Sequence, residues 1–205
     1  WAVGNESWAC GGNMRAEFYA DLYRQFATFL RDFPGAPLCR VACGPRDDDY
    51  HWTEVLMREC GRPLLGGQRL MQGLALHYYC VPGDFPPSKS ATEFGEAEWD
   101  ELMARAGRME EFVARHGAIM DRHDPDAYVG LYVDEWGAWH APEPGTPDGH
   151  FYQQGTLRDA VMAGDVLNTF VRHARRVRGA NLAQTANVVH SLFLTDGGRL
   201  LRTPT

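Results

Sequence analysis

The chain has 205 residues, a length that fits the usual domain size of about 100–200 residues. Its 27 acidic and 20 basic side chains give a formal charge of −7, which argues against nucleic-acid binding because such proteins concentrate basic residues on one face. Hydrophobic residues make up 44% of the sequence, enough for a globular core. No apolar run approaches the roughly 18 residues of a membrane-spanning helix, which excludes a transmembrane protein.

Short apolar runs alternate with long amphipathic segments along the chain. The apolar runs predict strands over residues 1–6, 38–44, 73–80, 128–135 and 180–189. The amphipathic segments predict helices over residues 14–33, 51–59, 96–121 and 157–177. Asn13 is the expected N-cap of the first helix, and Met14, Phe18, Leu22 and Phe26 are its expected core face. A hairpin over residues 191–201 is expected to turn around Asp196.

Five strands that alternate with four helices predict a parallel sheet with right-handed crossovers. An open doubly wound sheet and a (β/α)8 barrel both fit that order. Gly11-Gly12 is the nearest approach to a glycine-rich phosphate loop, and it lacks the GxGxxG spacing. Polar, aromatic and acidic residues instead collect at the carboxyl ends of several strands, where a barrel keeps its active site. We therefore predict an α/β fold, a partial (β/α)8 TIM barrel.

Both ends of the sequence suggest a piece of a longer chain. Residue Trp1 lies inside a strand-like stretch, and Thr205 follows no completed element. A complete barrel needs about 250 residues, so five units fit the later part of one, with three units upstream. The five cysteines include no CxxC pair, so we expect buried, reduced thiols in a cytoplasmic protein and neither a zinc nor a redox site.

Two glutamates end predicted strands, Glu6 after the first and Glu135 after the fourth. In a parallel barrel these ends face one mouth, so the two carboxyl groups can act on one bond. Retaining glycosidases need such a pair about 5–5.5 Å apart, one carboxyl group as general acid/base and one as nucleophile. Aromatic neighbours such as Trp8 suit a sugar and are expected to raise the pKa of the acid through desolvation. A lone glutamate at a strand end is more often a solvated carboxylate, so the pair carries the inference.

The sequence resembles glycoside hydrolase family 51, the α-L-arabinofuranosidases, in five motifs that occur in the same order. They are WAVGNESWACGGNM (residues 1–14), LHYY (76–79), VDEWGAW (133–139), QQGTLRDA (153–160) and AQTANV (183–188). The resemblance covers essentially the whole chain. One departure is Gly137, where members of the family tend to have asparagine.

The resemblance implies a role for each candidate site residue. Glu6 becomes the acid/base and Glu135 the nucleophile. Substrate-binding roles fall to Asn5 (the sugar 2-hydroxyl), Tyr79 (also hydrogen-bonded to the nucleophile), Gln184 (a sugar ligand), Trp139 (a subsite wall) and His77 (the pocket wall). Trp8 joins this set because of its place beside Glu6 in the sequence. A place in the core is equally consistent with the sequence for His77. Tyr79 is adjacent to Tyr78, so a shift of the strand register by one residue would exchange the positions of the two tyrosines. No cofactor and no metal are expected.

The resemblance also implies domain organisation and activity. Residues 1–205 would be the C-terminal part of a catalytic barrel, strands 4 to 8, without strands 1 to 3 and without the family's C-terminal β-sandwich domain. The expected activity is a retaining, exo-acting α-L-arabinofuranosidase on arabinan, arabinoxylan or their oligosaccharides, in a cytoplasmic homo-oligomer without nucleic-acid or membrane partners. The alternatives are a glycosidase of the same clan acting on β-glucan or xylan, and a carbohydrate-binding fragment without turnover. The isolated fragment is expected to be inactive.

Overall fold

A computed structural model describes residues 1–205 as seven strands and four helices. In chain order they are β1 (Ala2–Val3), α1 (Ala16–Phe29), β2 (Val41–Ala42), α2 (Tyr50–Cys60), β3 (Gly73–Cys80), α3 (Glu96–His123), β4 (Gly130–Ala138), α4 (Leu157–Arg172), β5 (Val177–Leu182), β6 (Phe193–Asp196) and β7 (Arg199–Arg202). None of the four helices has the length and apolarity needed to cross a bilayer.

The predicted partial (β/α)8 barrel is wrong for this chain. The first five strands form one sheet in the order β1-β2-β3-β4-β5, so β1 and β5 are its edges and no pairing joins them. Strands β1, β2 and β3 pair in parallel, with Ala2 opposite Val41 and Val41 opposite Gly73. Strands β6 and β7 form a separate antiparallel sheet. The alternation of strands and helices is common to open and closed parallel sheets, so the sequence order does not determine closure.

The chain divides into two compact units. The first comprises Trp1–His77, Phe112–Val133 and His173–Gly179. In its core, the buried ring of Tyr19 stacks on Trp52 at 5.4 Å between centroids. Helix α2 begins where the Asp49 side chain accepts a hydrogen bond from the Trp52 N–H at 3.1 Å, the N-cap arrangement that satisfies an otherwise unpaired donor.

Helix α1 buries a different face from the one the sequence predicts. Phe18 and Phe26 are 52% and 59% exposed, whereas the buried residues are Ala16, Tyr19, Ala20, Tyr23 and Ala27. The two tyrosines bury their rings because their hydroxyls find backbone acceptors, Val3 O for Tyr19 and Leu70 O for Tyr23. The helix also begins later than predicted, with Arg15 rather than Asn13 at the N-cap.

The second unit comprises Tyr78–Glu111, Asp134–Arg172 and Ala180–Thr205. In the core of this unit, Phe170 of α4 contacts Trp136 of β4 edge-on, with 5.2 Å between the ring centroids. The antiparallel pair β6–β7 turns directly after Asp196, where the sequence places the hairpin. Strand β4 continues to Ala138, three residues beyond its predicted end, which matters for the site because Glu135 lies within it.

A buried ion pair joins the start of β5 to the loop before β4 in the first unit. Arg176 donates to the Asp124 carboxylate at 3.0 Å, to Asp124 O at 2.8 Å and to Val129 O at 2.8 Å. Both side chains are nearly inaccessible, at 6% and 5% exposure. The Asp124 carboxylate also accepts from Val129 N at 2.8 Å, so it fixes the residue that precedes β4.

Replacing Arg176 with methionine is expected to cost about 3–5 kcal/mol of unfolding free energy, because it removes the nearer cation of the buried Asp124 carboxylate and leaves only Arg69, at 4.0 Å. The matched control is Arg175→Met. Arg175 is 65% exposed and pairs with Asp121 at 3.4 Å, so its loss should cost less than about 1 kcal/mol. Urea unfolding followed by circular dichroism measures both variants. Equal losses would show that the buried pair does not anchor this region.

Candidate active site

A tight turn after β1 presents the Glu6 side chain. The N–H groups of Ala9 and Gly11 donate to Glu6 O at 2.8 and 3.0 Å, and Glu6 itself has a left-handed φ of 43°. A Cβ atom at Gly11 would lie 1.7 Å from Asn5 O, so only glycine fits at that position. The turn brings Cys10 back against the carboxylate that it follows by four residues.

Two side chains of the first unit contact the Glu6 carboxylate. His77 Nδ1, on β3, lies 3.1 Å from Glu6 Oε1, and the Cys10 thiol donates to Glu6 Oε2 at 3.2 Å. His77 is buried, with 7% side-chain exposure, while Glu6 retains 22%. Trp8 lies edge-on to the His77 ring at 6.4 Å between centroids. Each carboxylate oxygen of Glu6 thus has a neighbour that can donate a proton to a hydrogen bond.

These contacts set the protonation of Glu6. The hydrogen bond to His77 lowers the pKa of Glu6 below its ordinary value, burial opposes the shift, and the Cys10 hydrogen bond and the Arg46 charge support it. The expectation that aromatic neighbours such as Trp8 raise the pKa of Glu6 is therefore wrong for the free chain. Desolvation is present, but the donors outweigh it, so Glu6 is a carboxylate at neutral pH in the free chain.

Glu135 lies in the second unit, on β4. The Tyr79 hydroxyl donates to Glu135 Oε1 at 2.9 Å, and both side chains are half-buried. The neighbouring Tyr78 is buried and faces the opposite side of β3, where its hydroxyl donates to Arg105 O at 2.7 Å. Alternation along β3 therefore gives the two adjacent tyrosines separate partners.

An aromatic cluster surrounds Trp139, which follows β4. Its ring lies edge-on to Tyr79, Phe85 and Phe151 at centroid distances of 5.1, 5.7 and 5.2 Å. Phe85 and Phe151 are 72% and 45% exposed, so the cluster presents ring surface to solvent. Exposed rings around a half-buried tryptophan suit the C–H faces of a sugar.

The remaining candidates lie in loops. Asn5 is exposed in the turn after β1, and Gln184 is exposed in the segment that follows β5. A cavity of about 590 Å³ opens beside Trp8 and is also lined by Arg46 and Trp52. Sequence reasoning missed Cys10, Phe85 and Phe151 as neighbours of candidate residues. Only Cys10 has a local signal, its place four residues after Glu6 in a glycine-rich turn.

Comparison with known proteins finds arabinofuranosidases. Residues 134–205 match the family described as the alpha-L-arabinofuranosidase C-terminal domain. This match also contradicts the predicted (β/α)8 barrel fold. The intracellular exo-alpha-L-arabinofuranosidase of Bacteroides ovatus is 44% identical over 203 residues. The alignment covers 99% of this chain and 38% of that relative.

Solved structures agree with the sequence comparison. The crystal structure of the GH51 arabinofuranosidase from Xanthomonas axonopodis pv. citri superposes with a TM-score of 0.94 at 48% identity, covering 99% of this chain and 40% of that one. An arabinose complex of the Thermotoga maritima alpha-L-arabinofuranosidase has a TM-score of 0.76 at 21% identity, covering 100% and 37%, and shows likeness of fold alone. The chain therefore spans about two fifths of the length of these relatives.

The contacts of Glu6 predict how its pKa responds to mutation. Replacing His77 with phenylalanine removes the main stabilisation of the carboxylate and should raise the pKa of Glu6, and Cys10→Ala should raise it by less. Because the folded pKa lies below the ordinary value, Glu6 stabilises the fold above that value, and this contribution is lost as the pH falls through the folded pKa. The His77 variant should therefore show less of this acid-range loss.

Carbon-13 NMR titration of the glutamate carboxyl groups measures the shift, with Glu6→Gln identifying the Glu6 signal. His51→Phe is the matched control because it removes another histidine–glutamate pair, His51 with Glu17 at 3.0 Å. That variant should leave the Glu6 midpoint in place. A Glu6 midpoint that does not move in His77→Phe would contradict the hydrogen bond as the cause.

Proposed function

The chain belongs to glycoside hydrolase family 51, and from this membership we propose that it supplies both catalytic carboxylates of a retaining, exo-acting α-L-arabinofuranosidase. The substrates are terminal L-arabinofuranosyl groups of arabinan, arabinoxylan or their oligosaccharides. The observation that carries the proposal is the contrast between the two glutamates. Glu135 is oriented by the Tyr79 hydroxyl, and Glu6 is held by the titratable groups His77 and Cys10.

We assign this activity to a polypeptide of the relatives' length, called the complete enzyme below, because the chain spans about two fifths of them. The other parts of such a polypeptide would complete the sugar site. Asn5 and Gln184, both exposed, are proposed to bind sugar hydroxyls once that site is filled. Trp139 and its aromatic neighbours are proposed to bind the sugar through ring contacts.

In the first step the Glu135 carboxylate attacks the anomeric carbon of the arabinofuranosyl group. Its Oε1 accepts the hydrogen bond from Tyr79, which orients the carboxylate for the attack. The bond from the anomeric carbon to the glycosidic oxygen breaks, and its electron pair stays on that oxygen. The Glu6 carboxyl group gives its proton to this oxygen, and an arabinosyl ester of Glu135 remains.

In the second step the Glu6 carboxylate takes a proton from water as the water oxygen attacks the same carbon. The ester bond breaks with its electrons returning to Glu135, and arabinose leaves with retained configuration. The lowered pKa of Glu6 in the free chain suits this base role. The acid role needs a protonated Glu6, and a bound sugar favours that form because it excludes water and strengthens the desolvation already acting on the carboxyl.

Removing the nucleophile tests the role of Glu135. In the complete enzyme, Glu135→Ala should abolish hydrolysis of aryl α-L-arabinofuranosides, and added azide should restore turnover to a product of inverted configuration, because only one displacement then occurs. Asp148→Ala removes an exposed carboxylate of the same unit and should leave turnover unchanged. Azide rescue with retained configuration, or no loss in Glu135→Ala, would contradict the assignment.

Removing the acid tests the role of Glu6. Glu6→Ala should slow substrates with poor leaving groups by about 10²–10⁴-fold, while formation of the arabinosyl enzyme from activated aryl arabinofuranosides is largely spared, because a good leaving group needs little protonation. Steady-state and burst kinetics over a series of leaving groups measure the difference. Equal losses across the series would rule out Glu6 as the general acid.

A further inference from the structure

Strand β4 extends beyond its neighbour β5. The last backbone pairing between them joins Ala183 N to Trp136 O at 2.8 Å, directly after β5 ends at Leu182. Residues two apart in a strand direct their backbone groups to the same neighbour, so Ala138 directs its N–H and C=O to a place that β5 does not reach. Ala138 is fully buried, so water cannot satisfy these groups.

Two side chains take the place of the absent strand. His190 Nδ1 accepts a hydrogen bond from Ala138 N at 2.8 Å, and Gln153 Nε2 donates to Ala138 O at 3.1 Å. Gln153 Oε1 also accepts from His140 N at 2.8 Å, so one amide spans two peptide groups. Gln153 and His190 are each 1% exposed. On the other side of the strand, Trp139 N donates to Cys80 O at 2.9 Å, the ordinary pairing with β3.

The glycine at position 137 makes room for the histidine. A Cβ atom there would lie 2.8 Å from His190 Nδ1 and 3.1 Å from His190 Cβ. Burial lowers the pKa of His190 to about 4, so the ring is neutral at pH 7. With its proton on Nε2, which lies 3.0 Å from Thr205 Oγ1, Nδ1 is free to accept. Glycine at position 137, which departs from the family pattern, is therefore what allows His190 to occupy this position.

Ala138 is connected to the proposed nucleophile through its neighbours in β4 and β3. Trp139 follows Ala138, and its ring contacts Tyr79, whose hydroxyl donates to Glu135. Glu135 and Trp139 are four residues apart on β4 and its extension, so their side chains lie on one face. A shift of the Ala138 peptide would move Trp139, then Tyr79, and so change the orientation of the carboxylate.

We propose that Gln153 and His190 are positioning residues for the glycosidase reaction: they replace the missing strand at Ala138 and thereby keep Trp139 and Tyr79 in place around Glu135. This inference rests on the proposed function, in which Glu135 is the nucleophile. Neither residue touches Glu135, so each acts through the backbone of β4.

The test isolates the attack by Glu135. In a Glu6→Ala background of the complete enzyme, release of the arabinosyl ester lacks its base, so the burst of aryl alcohol from an aryl arabinofuranoside with a good leaving group reports the first step alone. His190→Phe keeps a ring without an acceptor, and His190→Asn keeps an acceptor near the Nδ1 position. Gln153→Met keeps the length of the side chain without its polar atoms. Val166→Ala, a buried site in α4, controls for lowered stability.

We expect the burst rate to fall about tenfold or more in His190→Phe and in Gln153→Met, because small displacements of a nucleophile slow its attack steeply. His190→Asn should stay within about threefold of the parent, and Val166→Ala should keep the parent burst rate despite a lower melting temperature. Parent burst rates in His190→Phe and Gln153→Met would overturn the inference, as would an equal slowing in Val166→Ala. A parent that shows no burst would overturn the proposed function itself, and the inference with it.

Discussion

The end of β4 has no neighbouring strand on the β5 side, and the surroundings of Glu135 depend on how the chain satisfies the backbone there. A buried N–H or C=O without a partner costs about 1–3 kcal/mol, so the Ala138 peptide groups cannot stay unpaired. His190 and Gln153, from two separate loops, provide the partners. The loop after β5, which carries His190, and the loop before α4, which carries Gln153, are thereby hydrogen-bonded to the strand that carries Glu135. In the proposed arrangement, the positions of these two loops therefore affect the orientation of the Glu135 carboxylate.

The first unit sets the protonation of Glu6, a carboxyl group that gives and takes a proton in the proposed mechanism. His77 stabilises the charged form of Glu6, and burial of the same side chain opposes that effect. In the proposed mechanism a bound sugar removes water from a carboxyl on which opposed influences already act, and the added desolvation favours its neutral form. A group held strongly in either state would serve only one of the two proposed steps. The turn that presents Glu6 needs Gly11, so the sequence of the turn and the chemistry of its carboxylate are linked.

Local pattern was sufficient to predict part of the fold and of the site. The limits of β3 were predicted because a continuous apolar run is bounded by turn residues. The turn after Asp196 was predicted because glycine favours hairpin turns, and Gly197 there has a left-handed φ of 57°. The barrel was wrong because alternation of strands and helices is shared by several folds, whereas residues 134–205 match a C-terminal domain family and end in a separate antiparallel sheet. The buried face of α1 differs from the prediction because the Tyr19 and Tyr23 hydroxyls reach backbone acceptors, which makes burial of these rings favourable. The partners of Ala138 come from residues 15 and 52 positions away in sequence, a relation that no local pattern contains.

We propose that Glu6 and Glu135 carry out a double displacement on an arabinofuranosyl group. The most direct measurement is the configuration of the first product, followed by proton NMR from the moment the complete enzyme meets an aryl α-L-arabinofuranoside, before the released sugar equilibrates. We expect α-L-arabinofuranose to form first and the β anomer to appear only later, by mutarotation. Initial formation of the β anomer would mean a single displacement by water, and the assignment of Glu135 as a nucleophile would then be wrong.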